Sequence, residues 1–423
     1  MAQPPRPAGF YRHNDGPHGS LVCDGVPLAA IAAAEGTPLY VYSAAMLRER
    51  YLAIDEAFDG YPHALHYALK ANSALAIARL LHGLGSCVDA NSIWEIEVAR
   101  AAGFAPSQIV FTGVGKAPDE LEAAVALGVK AINVESAGEL ARLEAIGTRL
   151  GRVVRVAVRL NPDIDAKSHP HISTGLKINK FGVPLDDAKA LLQTLPARPS
   201  LTLVAVHVHV GSQISSLDPL RRAAVLAAGV SRDLQQQGFP IEYVDLGGGL
   251  GVSYDGGEVP SAADYVSALV EAVRSTSLPI VLEPGRAIAA PAGVLVARVI
   301  DVKARTADSE FVIIDAGMTE LMRPALYGAF HRIEPISAPP TGDHHYEIVG
   351  PVCESSDVVG RDRMLPLLNA GDMVAIRDAG AYGSAMASNY NRRPLPAEVL
   401  VDEGTWRVVR RRQTVDDMLL LEN

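Results

Sequence analysis

Between Pro62 and Arg286 the chain repeats one pattern eight times, a short run rich in β-branched residues followed by an alanine- and leucine-rich stretch of helical period. The runs are ALHYALK, SCVDAN, QIVFTG, KAINVES, VVRVAVRLN, LTLVAVHVHVG, YVDLGG and PIVLEPG. Strands separated by helices must pair in parallel, because each helix carries the chain back to the start of the next strand. The first few runs recur roughly every 22 residues, the length of one strand, one helix and two short loops. Eight such units predict a closed, TIM-like (β/α)8 barrel in an α/β chain rather than an open sheet.

Alternation inside the runs predicts which residues face inward. Val204, Val206, Val208 and Val210 share one face while His207 and His209 share the other, and Arg155 and Arg159 oppose Val154, Val156 and Val158. The valines are expected to pack under the helices. The polar residues are expected to look into the barrel near its C-terminal mouth, where Asp89, His209, Asp245 and Glu283 also fall in phase and where barrel chemistry is found.

After Pro291 the pattern changes to strands without long helices: GVLVARVIDVKA, EFVIIDAG, HYEIVG, DMVAIRDAG and EVLVDEGTWRVVRRR. SLVCDG and TPLYVYS, ahead of the barrel, also read as strands. The expected organisation is a barrel over residues 44–290 and a β-sandwich or β-barrel domain built from 1–43 and 291–423, the N-terminal arm completing the C-terminal domain.

Composition narrows the function classes. With 423 residues and 48% of them apolar, the chain can bury a large core. The formal charge of −10 is spread out, and the only basic run, Arg410-Arg411-Arg412, reads as an exposed strand face too short to recruit nucleic acid or an anionic membrane. The N-terminal stretch MAQPPRPAGFYRHNDG is polar and rich in proline, with no apolar signal-peptide core, and no later stretch has the length of a membrane span. Cys23, Cys87 and Cys353 form no paired spacing and no metal cluster, which suits a reducing cytoplasm and small buried thiols.

Lys70 ends the first run on the face shared with His66 and Ala68, so its amine is aimed where an aldehyde can be held. Two glycine loops, Gly247-Gly248-Gly249-Leu250-Gly251 and Glu283-Pro284-Gly285-Arg286, follow the seventh and eighth runs, the recurrent phosphate position of this fold. A phosphate cradle, an aldehyde-binding lysine, an acid and a flat-lying imidazole together describe pyridoxal 5′-phosphate. Glu283 is the natural partner for the pyridine nitrogen; the alternative is a buried glutamate paired with a barrel arginine such as Arg159. His207 and His209 have the spacing of two metal ligands, but no carboxylate or third-histidine motif accompanies them, and no metal is expected. His169, His171, Lys177 and Lys180 lie in the long segment after the fifth run, which reads as an active-site loop without individual roles.

The ordered motifs YALKAN, HVHVGSQI, DLGGGLG, EPGR, RPALYGAFH, GPVCESSD and RDAGAYG, spread over nearly the whole chain, resemble the fold-type III pyridoxal-phosphate-dependent decarboxylases with alanine racemase-like barrels. The resemblance is greatest to the branch that converts meso-2,6-diaminopimelate to L-lysine and CO2, the last step of lysine biosynthesis. It implies a homodimer with active sites at the interface and a small amino-acid substrate. It makes Lys70 the Schiff-base lysine, His209 the residue stacked on the ring and Glu283 the pyridine partner. Asp89 joins the cofactor site, and Ser212, Gly248, Gly249 and the Pro284-Gly285-Arg286 loop hold the phosphate, together with Tyr382. Arg286, Arg323, Tyr327 and Tyr382 are similar to the substrate-binding set, the arginines clamping its distal part. Cys353 and Glu354 match a pair donated by the partner subunit, the first as proton donor to Cα and the second recognising the distal amino group.

Two positions depart from the common pattern. Ala90-Asn91-Ser92-Ile93 stands where many relatives have a serine and two glycines, and Ser356 stands where a glycine is frequent; both are expected to affect loop conformation without touching the charged groups. Other substrates, namely ornithine, arginine or carboxynorspermidine, remain alternatives, although Arg286 and Arg323 argue against a distal end that is only cationic. A non-catalytic regulatory paralogue is a further alternative, against which stands the presence of both Lys70 and Cys353.

Overall fold

The computed structural model describes residues 8–13, 19–165, 174–176, 179–306, 308–337 and 344–422. They form two compact units, one of Tyr51–Val252 with Glu258–Ala287 and one of Met1–Arg50, Ser253–Gly257 and Ile288–Asn423.

In the first unit, eight parallel strands close into a barrel: His63–Ala68, Cys87–Ala90, Ile109–Phe111, Ala131–Val134, Val154–Asn161, Leu201–Val208, Tyr243–Asp245 and Ile280–Leu282. Each pairs with the next, and the eighth closes on the first with Ile280 opposite His63. A two-residue strand, Val183–Pro184, adds to the fifth. All eight runs of the sequence are therefore barrel strands. Val204, Val206 and Val208 are fully buried, as the alternation requires.

Helix starts follow local capping chemistry. Ser92 Oγ accepts the Glu95 N–H at 3.2 Å while the Glu95 carboxylate takes the Asn91 N–H at 2.7 Å. Ser136 and Glu139 repeat the arrangement two units later, at 3.1 Å and, from the Glu135 N–H, 2.9 Å. Each such cap is worth about 1 kcal/mol. The Ser92-capped helix Ile93–Ala102 stops at Gly103, whose φ of +110° is open to glycine and strained for other residues.

The second unit is organised around the long strand Gly293–Ala304, which pairs antiparallel with Leu39–Ser43, Glu310–Ile314 and Met373–Ile376. Leu39–Ser43 lies between it and Ala397–Asp402. Phe10–His13, Ser20–Cys23 and Val26–Pro27 make a small separate sheet, and Phe10, Leu21, Cys23 and Val26 share a core with Leu39, Val41, Val294 and Val399.

Several strands escape the sequence reading: the short Phe10–His13, Val26–Pro27, Val183–Pro184 and Ile333–Pro335, and the longer Val358–Leu365. The last is an edge strand carrying Arg361, Asp362 and Arg363; charges guard such an edge against further pairing and also mask its alternation. In the basic run Arg410, which ends the strand Thr405–Arg410, and Arg411 are exposed as expected, and all three arginines are partnered. Arg410 pairs with Glu398 at 2.5 Å, Arg411 with Asp417 at 2.5 Å, and Arg412 donates to the Pro38 carbonyl at 2.8 Å. Among the described residues, no helix is long and apolar enough to cross a membrane.

Candidate active site

The first barrel strand ends at Ala68, and Lys70 sits on the 3₁₀ turn Leu69–Ala71 that follows, one step beyond the strand from which its phase was read. The Lys70 Nζ donates to Asp89 Oδ2 at 3.1 Å and to Asn91 Oδ1 at 3.0 Å. Asn91 Nδ2 in turn lies 3.2 and 3.1 Å from the two Asp89 oxygens. Asp89 is fully buried whereas the lysine side chain keeps 37% of its exposure, so the amine is held on one side and reachable from the other. This corrects the expectation that the unusual Ala90–Ile93 stretch leaves the charged groups alone, because Asn91 touches both Lys70 and Asp89.

The glycine loops sit where side chains have no room. A Cβ on Gly247 would lie 2.7 Å from His209 Nδ1, and one on Gly248 would collide with the Glu283 carbonyl. Gly249 adopts φ +117°, and a Cβ on Gly285 would lie 2.9 Å from the Ala71 Cβ. The Pro284 carbonyl accepts the Ala68 N–H at 3.2 Å, fastening this loop to the turn that carries Lys70. Arg286 Nε donates to Ser212 Oγ at 3.1 Å, placing a guanidinium and a hydroxyl together. A bare-backbone cradle with these two groups suits a phosphate, which takes backbone N–H donors and a guanidinium fork.

His209 Nδ1 accepts the Gly248 N–H at 3.2 Å. Burial, reinforced by Arg159 and Lys70, pushes its pKa well down, so the imidazole is neutral. His207, two residues earlier on the same face, meets other groups. It is in register with Asp245, and the ligand-capable atoms of His207, Asp245 and Glu283 all lie within 4.8 Å of one another. Carboxylates thus do accompany the first histidine of the pair, supplied by neighbouring strands that a motif along one strand cannot reveal.

His207 Nε2 is 3.4 Å from Glu283 Oε2, a long contact, and Asn133 Nδ2 is 3.5 Å from Oε1. Burial works to raise Glu283, but His207 and Lys70 outweigh it and hold the carboxyl well below its usual range. Burial, then the neighbouring Glu283, drives Asp245 the other way. Arg159, the alternative partner for Glu283, pairs instead with Glu135 at 2.6 Å.

The remaining sequence candidates belong to the second unit. Arg323 is buried at the start of the short helix Arg323–Tyr327; its Nη1 lies 2.7 Å from His331 Nε2, and the His331 Nδ1 lies 2.8 Å from the Arg377 carbonyl. The carbonyl requires a proton on Nδ1, which leaves Nε2 to accept from Arg323. The guanidinium also lies 4.4 Å from the centre of the Tyr254 ring. Tyr327 is half-buried at the end of the helix.

Cys353 is exposed, not the buried thiol expected by default; its N–H donates to Asn391 Oδ1 at 3.2 Å. Glu354, also exposed, accepts from the Tyr390 hydroxyl at 3.2 Å. Their loop is pinned by Asp357, which accepts the Val352 N–H at 2.8 Å and the Met318 N–H at 2.6 Å. Tyr382 is half-buried with φ +55°, a conformation unusual for an aromatic residue and frequent at functional sites. His169, His171 and Lys177 lie outside the described residues; Lys180 is exposed, 5.6 Å from the centre of the Phe181 ring. Asn91, Tyr254, His331 and Asp357 have no role in the sequence reading; His331 and Asp357 close the motifs RPALYGAFH and GPVCESSD, and Asn91 marks a departure from the family pattern, whereas Tyr254 carries no signal.

The first unit therefore brings Lys70, Asp89, His209, Ser212, both glycine loops, Glu283 and Arg286 into one barrel. This class of site is that of a pyridoxal enzyme: residues 44–290 match the family described as "Pyridoxal-dependent decarboxylase, pyridoxal binding domain", and the chain belongs to it, with pyridoxal 5′-phosphate as cofactor. Within the family, the chain is 44% identical to the diaminopimelate decarboxylase of Pseudomonas aeruginosa over 94% of its own length and 95% of that protein's. It is similar to the crystal structure of diaminopimelate decarboxylase from Helicobacter pylori complexed with L-lysine, at 42% identity and a TM-score of 0.90, covering 93% of this chain and 98% of that one. The M. jannaschii diaminopimelate decarboxylase in complex with L-lysine gives 35% identity and a TM-score of 0.92, covering 98% of each chain.

Proposed function

We propose that this chain decarboxylates meso-2,6-diaminopimelate to L-lysine and CO2, with pyridoxal 5′-phosphate held by the barrel. The observation that carries the reading is Lys70, an amine fixed by Asp89 and Asn91 yet accessible, in a barrel whose last two strands end in glycine loops. Near-full-length similarity to diaminopimelate decarboxylases supports the substrate.

When bound, the cofactor supplies the electron sink that makes breaking the Cα–carboxylate bond feasible. Lys70 provides the amine that anchors it. Gly248, Gly249, Pro284, Gly285, Ser212, Arg286 and Tyr382 hold its phosphate, and Asp89 steadies the lysine. Glu283 keeps a negative charge in the barrel interior and so keeps the proton on the ring nitrogen. Neutral His209 offers a flat face without a competing positive charge.

Arg286, Arg323 and Tyr327 orient the substrate through its distal end. The neutral His331 behind Arg323 leaves that guanidinium its full charge for a carboxylate, where a charge-assisted hydrogen bond contributes about 1.5–3 kcal/mol. Cys353 returns a proton to Cα, and Glu354 receives the distal ammonium. Both are exposed on their own chain, which supports a homodimer in which each subunit completes its partner's site. The boundaries that go with this reading are 44–290 for the barrel domain and 1–43 with 291–423 for the β domain, in a cytoplasmic enzyme.

A product assay with meso-diaminopimelate beside ornithine, arginine and lysine, each with added pyridoxal phosphate, tests the substrate. L-Lysine and CO2 are expected from the first alone. Faster release of CO2 from ornithine or arginine would refute the assignment.

A further inference from the structure

One imidazole of the His207–His209 pair has no task in this scheme. His209 meets the glycine loop, whereas His207 is fully buried deeper in the barrel. It lies opposite Asp245 in the parallel register, and Asp245 lies opposite Val281, two residues before Glu283. Three strands thereby converge on one buried polar cluster, whose nitrogen and oxygen atoms lie within 4.8 Å of one another.

Two carboxyl groups this close in a buried interior cannot both ionise, and they share one proton. The neighbours decide where it resides. Glu283 is flanked by His207 Nε2 at 3.4 Å and by Asn133 Nδ2 at 3.5 Å. Asp245 Oδ1 takes the Gly247 N–H at 3.0 Å, while its buried Oδ2 has no partner among the described residues unless it carries a proton and donates. Neither nitrogen of His207 has another partner of ordinary hydrogen-bond geometry among those residues, so its N–H has nowhere better to go than Glu283. The two carboxyls are accordingly driven apart, Asp245 upward and Glu283 downward, the pattern by which paired acids take different roles.

We propose that Asp245 and His207 are positioning residues that pin the negative charge on Glu283, Asp245 as a neutral acid donating to it and His207 as an N–H donor on its other flank. The proposal rests on the assignment of Glu283 to the ring nitrogen and explains how that carboxylate survives burial. Without the two donors the charge would be poorly solvated, the proton would spread over the pair, and the ring nitrogen would lose its partner.

The test uses holoenzyme reconstituted with pyridoxal phosphate carrying ¹⁵N in the ring, whose chemical shift reports whether that nitrogen is protonated. Wild type should give the protonated shift, and His207→Phe and Asp245→Val should each move it toward the unprotonated position. His207→Gln and Asp245→Asn, which retain an N–H donor, should stay near wild type; a purely structural role would not sort the variants by donor. Glu283→Gln separates the two layers of the argument. If it moves the resonance while His207→Phe and Asp245→Val do not, the assignment of Glu283 stands and the proposal fails. If Glu283→Gln also leaves the shift in place, both fall. Should the apolar variants not bind cofactor, infrared difference spectra of the apoprotein, wild type against Asp245→Asn, serve instead: loss of a protonated-carboxyl band supports the proposal, and its absence from the wild type overturns it.

Discussion

A lysine amine serves as an anchor for an aldehyde only if its neighbours hold it in place without shielding it from solvent. At Lys70 this is divided between a charged and a neutral acceptor, Asp89 at 3.1 Å and Asn91 at 3.0 Å, and Asn91 also bonds to the aspartate. Hydrogen bonds to charged groups contribute about 1.5–3 kcal/mol, so Asn91→Ala should lower kcat/KM about 10- to 100-fold while the protein stays folded. Steady-state kinetics beside a circular-dichroism spectrum checks this, and an unchanged kcat/KM would remove Asn91 from the site. His66 carries a prediction of its own. Burial, with Lys130 adding to it, pushes its pKa down to about 3, so between pH 6.5 and 3 the unfolded chain binds a proton that the folded chain does not. Stability is then fully present above the unfolded value and is lost as pH falls, at about 1.4 kcal/mol per pH unit for this one group. His66→Leu should flatten the urea-unfolding free energy between pH 6 and 4 by that slope relative to wild type. Parallel curves for the two proteins would show that His66 titrates normally.

At the scale of elements, the loops after the seventh and eighth strands work because backbone stands where side chains would otherwise be. A Cβ on Gly248 would meet the Glu283 carbonyl, which is backbone and cannot swing away. Gly248→Ala should therefore weaken pyridoxal phosphate binding at least about 10-fold and destabilise the fold by about 1–3 kcal/mol, the range for overpacking; cofactor titration and thermal unfolding read the two effects, and a variant normal in both would mean the loop has slack. These loops were legible as glycine runs closing strands, and so were all eight barrel strands, because a parallel strand buried on both faces reads as a compact β-branched run. Val358–Leu365 was not legible, since the charges that protect an edge strand erase its alternation. The His207–Asp245–Glu283 cluster was hidden for another reason: its members lie on three strands, and their meeting depends on register, which no single run encodes. Asn91 was visible only as a departure whose contact with Lys70 required the fold.

At the scale of the molecule, the exposed Cys353 and Glu354 and the buried barrel cluster belong to different units of the chain, and the proposed homodimer is what would make an enzyme of them. Lys70→Ala and Cys353→Ala should each be inactive alone, the second losing about 10²–10⁴ in turnover as a positioned acid does. Dissociated and reassociated together, they should recover about a quarter of wild-type activity, because half the dimers are mixed and each mixed dimer has one intact site. No recovery despite proven subunit exchange would mean that each chain builds its site alone. Beneath all of this is the claim that the barrel carries pyridoxal phosphate on Lys70. Borohydride reduction of the holoenzyme followed by peptide mass mapping tests it most directly: the pyridoxyl mass should appear on the peptide containing Lys70 and vanish in Lys70→Ala, whereas a stoichiometric adduct on any other lysine, or none on Lys70, would contradict it.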